Sequence, residues 1–573
     1  MKIPYLKKKP ELKSCHNVTW EDNYSWIHQK NILEVLRDKN KLLPEVKDYL
    51  EEENKYTDHH LENTKPIQKK LFDEIKGRIK LDDESLPYKD HTYEYWTKTT
   101  KTGNYSIKLR KKINSDEIEE IWNGDKEKEN LGVEYFGVGD LEVSNNDKYL
   151  GYSLDTKGSE YYTIFIRNID NNELITREIT ETSGGITFSL DDKFIFYSKL
   201  DENHRARKIY RHEIGNFKDQ DQLIFEEKTE AFTVSIGLSS DEKYYFINSS
   251  DHNTSEQYYF SVEENIPKPK LIMQREKGIL YSISSWDGKF YNHTNKNAED
   301  FKIDVSGSLE NQEWKIFIPA RDEVLIGGLT FLKDWIIRSE TSDALDKLFV
   351  KNISTGIEEE LIFSNEKTYV PGVSLVQRDR NTNDIYLGYS SPKTPSRVYL
   401  YNLSNKSKKL VKEQEIPSGH NPDDYVVLQA DAGADTGAGE TYVSDVSITS
   451  GIATLTLLRA DKTTPVVISS TKAITVFAPT QTSLSLKTKT SATSVKSISD
   501  LRIDPGDIIQ FDKVDAYEIT SFVHNSATIP ATDYELVTGQ TDTHYGYSQV
   551  VYKGASSLYK NTAGDNEITF KYY

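Results

Sequence analysis

Three serines sit in contexts that could carry nucleophilic chemistry. GYSSP places Ser390, GYSQV places Ser548 and GASSL places Ser556 behind a glycine. A serine nucleophile on a sharp strand-to-helix turn needs G-x-S-x-G, because both glycines let the backbone bend and expose the hydroxyl. Each of the three lacks the second glycine. Ser548 also has His544 and Asp542 close by in sequence, but a working triad is an arrangement in space that sequence proximity does not supply. They read as strand or turn residues, and the sequence assigns no catalytic residue.

Other constellations point the same way. His59 and His60, beside Asp58 and Glu62, could ligate a metal, yet adjacent residues on a helix point about 100° apart and share no face. They read as surface polar residues, so no metal site is expected. DENHRARKIYRH gathers His204, Arg205, Arg207, Arg211 and His212 in an acidic protein. It could meet a peptide carboxylate or an acidic partner domain, but a structural ion-pair network between neighbouring sheets is the expectation. TSGGITF gives Gly184 and Gly185 a tight entry to a strand. It is no phosphate loop, since neither a helix nor a lysine follows. The single cysteine, Cys15, forms neither an internal disulfide nor a multi-cysteine zinc site. No cofactor is expected.

The elements that must position such residues change along the chain. The first 75 or so residues read as a helical segment. Leu33, Val35 and Leu36, then Val46, Tyr49 and Leu50, fall at helical spacing with Pro44 as an interruption, and Ile67, Leu71, Ile75 and Ile79 share one face. From Tyr88 the period becomes 2, as in half-buried antiparallel strands. A turn recurs in SNNDKYLGYS, SLDDKFIFYS, SSDEKYYFIN, SWDGKFYNHT, FLKDWIIRSE and RNTNDIYLGY. Its marker falls at Asp147, Asp192, Glu242, Gly288, Asp334 and Asp384, with spacings of 45 to 50 residues. Four short strands per such period are β-propeller blades. With YEYWTKTTKTGNYSIKLRKK as a degenerate first unit, seven blades fill 76–418.

With 573 residues the chain suits several domains. Net charge is 72 − 91 = −19, which disfavours a general nucleic-acid binder. No apolar run reaches the roughly 18–20 residues of a membrane span, and the basic start MKIPYLKKKPELKS has no apolar stretch behind it. A cytoplasmic protein is expected. Composition breaks sharply near Val427. All seven Trp, from Trp20 to Trp335, precede it; beyond it about a quarter of residues are Ser or Thr. The reading is a hinge over 419–435 and a small β-rich, sandwich-like domain over 436–573, with strands such as TLTLL, PVVIS, AITVFAP and YEITSF.

Several long segments carry a resemblance. NLGVEYFGVGDLEVSNNDKYLGYSLDTKGSEYYTIFIRNI, TSGGITFSLDDKFIFYSKLDENHRARKIYRHEIG and DQLIFEEKTEAFTVSIGLSSDEKYYFINSSDHNTSE resemble the prolyl oligopeptidase family, in its oligopeptidase B branch, as do HNVTWEDNYSWI, VKDYLEEENKY and GRIKLDDESLPYKDHTYEYWTK. The likeness runs from about Pro4 to Val427. It implies a seven-bladed propeller stacked over an α/β-hydrolase domain, with the N-terminal helices packed on that domain. It also implies that the propeller restricts a buried Ser-Asp-His triad to short peptides, cut after Lys or Arg. Glu415–Val427 resembles the strand and hinge leading into the hydrolase. Here the 146 residues after Val427 show no strand–helix alternation and no G-x-S-x-G. The expectation is therefore a gating propeller without its catalytic domain, inactive by itself, with a hydrolase domain supplied in trans as one possible partner. YELVTGQTDTHYGYSQVVYKG and NEITFKYY resemble structural proteins of tailed phages. That implies oligomerisation through the C-terminal domain and two alternative readings: a virion protein displaying a host-derived propeller, or an artefactual join of two genes.

Overall fold

The structure is a computed structural model. It describes residues 2–419 except 365 and 367, and beyond them 429–430, 442–449, 452–458, 474–475, 492–498, 503–511, 513, 516–524, 526–537, 540–541, 544–545, 548–554 and 566–572. Two compact units are formed, Met1–Pro479 and Thr480–Tyr573.

The lead-in differs from an all-helical segment. It opens on a hairpin, Glu11–Cys15 paired with Val18–Asp22. His16 and Asn17 between them both hold positive φ, at 48° and 63°, the two-residue turn whose twist suits a hairpin. Helices then run over Ile32–Arg37, Pro44–Leu61 and Lys65–Gly77. Pro44 starts the second helix instead of interrupting one, because at the first helical position its missing N–H has no intrahelical partner to lose.

Seven four-stranded antiparallel blades follow. Their strands span Tyr88–Asn123, Gly137–Thr182, Thr187–Glu226, Thr233–Met273, Tyr281–Ile318, Val324–Glu360 and Val370–Glu413, here blades 1 to 7. Blades 2 and 3 are further joined edge to edge where Thr182 pairs with Lys199. The recurring sequence marker lies in or beside the first hairpin turn of blades 2 to 7. In blades 2, 3 and 4 the turn is built alike. Ser144, Ser189 and Ser239 open it, and Asp147, Asp192 and Glu242 hold φ of 60°, 54° and 56° at its fourth place. The acidic residue also staples blades together. Asp147 accepts from the hydroxyls of Thr92 at 2.6 Å and Tyr95 at 2.7 Å in blade 1. Asp192 accepts from the N–H groups of Asn145 at 2.8 Å and Asn146 at 2.7 Å in blade 2.

Alternation along the strands sends one set of apolar side chains between successive blades. Trp122 with Leu150 and Tyr152 fills the space between blades 1 and 2, and Ile164, Ile166 and Ile195 that between 2 and 3. Phe260 with Ile209, Phe290 with Phe246, Phe331 with Ile303, and Leu387 with Ile337 continue the series to blade 7. Among the described residues no such buried apolar cluster joins blade 7 to blade 1. That seam is polar: Lys89 N–H donates to the Val376 carbonyl at 3.1 Å and Arg378 N–H to the Lys89 carbonyl at 2.9 Å. The Tyr386 hydroxyl reaches the Pro87 carbonyl at 2.9 Å, and Lys412 pairs with Asp83 at 2.7 Å.

The second unit packs a four-stranded sheet and a three-stranded sheet around Ile503, Phe511, Phe522, Val550, Ile568 and Phe570, with Phe511 and Phe570 stacked at 4.0 Å. A small β-sandwich is what its alternating strands require.

Candidate functional site: an axial channel

The first strands and first turns of the blades surround an axial channel, where two cavities of about 720 and 370 Å³ together draw wall residues from all seven blades. Both share Ser240, Glu242, Arg378 and Arg380. Arg378 rises from the long turn after the first strand of blade 7, and its Nε donates to Glu242 Oε1 of blade 4 at 2.5 Å. In a ring of seven, blade 4 lies across from blade 7, so this ion pair crosses the channel. Nη1 of Arg378 also lies 3.6 Å from Asp90 Oδ1 of blade 1. Burial works against the guanidinium charge, but Glu242 and Asp90 outweigh it and raise the pKa. The same turn position that staples neighbours in blades 2 and 3 thus reaches across the channel in blade 4, where Glu is one methylene longer than Asp.

The smaller cavity carries two carboxyls whose pKa is raised, Asp90 and Glu142. Burial raises the Asp90 carboxyl, against the pull of Arg378 and His91. Glu142, on the first strand of blade 2, is pushed up to about 7, first by burial and then by the nearby Asp140 carboxylate, with Lys108 opposing. Its side chain is open to water within the channel while protein surrounds most of it. Lys108 donates to the Leu141 carbonyl at 2.9 Å, and burial lowers its pKa.

The sign of the resulting pH dependence is fixed. A carboxyl whose pKa rises on folding favours the protonated native state, so its penalty is absent below the ordinary range near 4.5 and complete above about 7. Glu142→Gln should therefore melt with the parent protein near pH 4.5 and above it at pH 8. Parallel melting curves at the two pH values check this; a pH-independent difference would contradict it.

The serines highlighted by sequence do not converge on this channel. Ser390 ends the second strand of blade 7, paired with Val370. Ser548 is fully buried in the second unit, its Oγ accepting from the Ala516 N–H at 2.9 Å. Ser556 and Asp542 lie outside the described residues, and for His544 only the backbone strand is described. His59 and His60 lie on the Pro44–Leu61 helix with their rings edge to face at 5.3 Å. Among the described residues no three His, Cys, Asp or Glu side chains are grouped to hold a metal ion, and no helix there is long and apolar enough to cross a membrane. Cys15 is exposed.

The basic cluster of blade 3 disperses among separate partners. Arg207 pairs with Asp201 at 2.5 Å, and Arg205 donates to the Ala231 carbonyl at 2.8 Å. Arg211 donates to the Asn265 carbonyl at 2.7 Å and stacks over Phe194. His204 meets the Ser159 carbonyl at 3.1 Å, and His212 meets Asp221 at 2.6 Å. These are contacts within and between blades. Gly184, at φ 98°, packs against the Tyr162 ring at a distance where a Cβ would sit 3.1 Å away, so it serves strand entry as expected.

The prolyl oligopeptidase N-terminal beta-propeller domain matches residues 4–414. The chain belongs to the prolyl oligopeptidase family. Dipeptidyl aminopeptidase BI of Pseudoxanthomonas mexicana is 28% identical over 442 residues, covering 74% of this chain and 59% of that protein. Protease 2 of Moraxella lacunata is 27% identical, covering 71% of this chain and 58% of that protein. Among solved structures, oligopeptidase B from Leishmania major superposes with a TM-score of 0.67 at 20% identity, covering 75% of this chain and 63% of that one. Oligopeptidase B from Trypanosoma brucei gives the same TM-score at 21% identity. The chain thus spans just under three fifths of the length of these curated relatives. The family match ends at residue 414 and does not bear on the phage-like resemblance of the C-terminal segment.

Within this prolyl oligopeptidase-family propeller, sequence reading singled out Glu242 as a turn residue and missed Arg378. The available signal was VQRDR, with two arginines flanking Asp379 in the longer turn of blade 7.

Proposed function

We propose that this chain is the gating part of an oligopeptidase B-like serine peptidase that acts on short peptides and cuts after Lys or Arg. In this reading the propeller admits only short, flexible substrates, and the Ser-Asp-His chemistry belongs to a hydrolase domain outside the 573 residues. That domain would act as the rest of a longer protein or in trans. The observation that carries the reading is the closed seven-bladed ring with a narrow channel crossed by the Arg378–Glu242 pair. The relatives named protease 2 and prolyl endopeptidase support a peptide substrate class. The lead-in adds a second support: Ile67, Leu71, Phe72, Ile75 and Ile79 are each about half exposed or more, an apolar face of the kind that marks an interaction site. We place the protein in the cytoplasm.

The test is direct. The purified chain, given a short fluorogenic peptide with Lys or Arg before the cleavable bond, should show no turnover and no labelling by a serine-reactive phosphonate. It should bind a hydrophobic dye through the lead-in helices. Turnover abolished by the phosphonate would sink the proposal, and a monodisperse monomer that leaves the dye unbound would remove the docking face.

A further inference from the structure

Two cations on the wall of the larger channel cavity have no ion-pair partner among the described residues. Arg380 follows Arg378 by two residues in the blade 7 turn. Its Nη1 donates to the Phe331 carbonyl at 3.2 Å, and no carboxylate lies within ion-pair distance among the described residues. A guanidinium has five N–H donors, so most of this one's hydrogen-bonding capacity is unused. Burial lowers its pKa, opposed by the nearby Tyr88 and Glu242 and helped by the Arg378 charge. The Arg380 carbonyl accepts from Lys333 N–H at 2.9 Å, which brings the first turn of blade 6 beside that of blade 7. Lys333 lines the same cavity from an exposed turn and also forms no ion pair among the described residues.

Each acid in that wall has a hydrogen-bond partner other than Arg380 and Lys333. Glu242 is held by Arg378. Asp241 accepts from Ser239 Oγ and Ser285 Oγ, each at 2.7 Å. Asp379 accepts from the Asn381 N–H at 2.9 Å and remains exposed. Two such cations on the wall of one 720 Å³ cavity, in a chain with net charge −19, offer charge to a small anion that enters the ring.

We propose that Arg380 and Lys333 form an anion seat in the axial channel that takes the carboxylate of a short peptide. The ligand's class rests on the peptide reading above, but binding requires no cleavage. A planar guanidinium grips a carboxylate through two parallel N–H bonds, and Lys333 adds a mobile point charge. The seat would orient a peptide with its acidic end toward the turns of blades 6 and 7.

Calorimetric titration of the full chain tests this with three probes: a tetraalanine free acid, the same peptide as its C-terminal amide, and inorganic phosphate. The free acid should bind at least about tenfold more tightly than the amide. Arg380→Gln should remove most of that preference. Lys333→Gln, on an exposed turn where the fold tolerates replacement, should weaken it about threefold or more. Equal affinity for acid and amide would overturn the proposal. So would an unchanged preference in both variants, or saturation by phosphate with no peptide binding. Hydrolysis of a peptide by the chain would contradict the gating reading and leave this acid-over-amide ratio intact, so the two fail separately.

Discussion

Arg275→Ala should destabilise the propeller by about 3–5 kcal/mol, the usual loss when one partner of a buried ion pair is removed. Arg275 alone neutralises two carboxylates. Its Nη2 lies 2.6 Å from Glu227 and 2.6 Å from Glu256, whose side chains are only 4% and 5% exposed. The two acids come from the end of blade 3 and from the second hairpin of blade 4, so the arginine also ties blades together. Ser249 Oγ donates to Glu227 at 2.6 Å and the Tyr258 hydroxyl to Glu256 at 2.9 Å, but neither supplies charge. Without the guanidinium, two buried anions would face each other. Burial pushes the Glu227 carboxyl up, yet hydrogen bonds from Ser249 and Arg275 outweigh it and hold the pKa below the ordinary range. A lowered carboxyl stabilises above its unfolded pKa and loses that contribution as pH falls through the folded one. The gap between parent and variant should therefore be widest near neutrality and narrow on acidification. Denaturant unfolding followed by Trp emission measures it cleanly, since all seven Trp lie between residues 20 and 335, within the first unit. Glu256→Gln in the Arg275→Ala background should recover part of the loss. A gap below about 1 kcal/mol at pH 7 would show that water or rearrangement replaces the pair.

What the sequence made legible was set by local chemistry. The propeller could be read because each blade repeats a local instruction. Most plainly in blades 2 to 4, a serine opens a turn, a residue able to hold positive φ closes it, and an alternating strand follows, as in Ser144–Asp147, Ser189–Asp192 and Ser239–Glu242. Local rules of this kind need no knowledge of the ring. The hairpin at Glu11–Asp22 was hidden because its short strands lie beside stronger helical spacing, and Pro44 marks a helix start as well as it marks a break. The channel was illegible for a different reason. Glu242 and Arg378 are 136 residues apart, and nothing in either neighbourhood says that blade 4 will face blade 7 until the ring has closed with seven members. The same holds for Arg380 and Lys333, whose meeting depends on blades 6 and 7 being adjacent. Charge within a ring is a property of topology, whereas each strand's burial pattern is a property of its own alternation.

The buried chain Thr176–His212–Asp221 separates geometry from function, and its mutants should show it. His212 Nδ1 lies 2.6 Å from Asp221 Oδ1 and its Nε2 lies 3.2 Å from the Thr176 hydroxyl, which is the order of orienting acid, base and nucleophile in acyl transfer. Substrate cannot reach it, because His212 is 0% and Thr176 2% exposed. The Tyr197 hydroxyl donates to the second Asp221 oxygen at 2.8 Å, and the Gly215 N–H to the Thr176 hydroxyl at 3.3 Å. All four side chains therefore belong to one closed network joining the last strand of blade 2 to blade 3. A network this dry is worth most when complete, since each deletion strands a buried partner. His212→Ala should cost about 2–4 kcal/mol by leaving the Asp221 carboxylate and the Thr176 hydroxyl without that partner. Thr176→Val, close in shape and lacking only the hydroxyl, should cost about 1–2 kcal/mol. The effects should not add in the double variant, because both delete the same bond. Neither change should alter peptide hydrolysis in any assembly that restores it. A His212→Ala protein with parental stability, or one whose only defect is catalytic, would make this constellation a site after all.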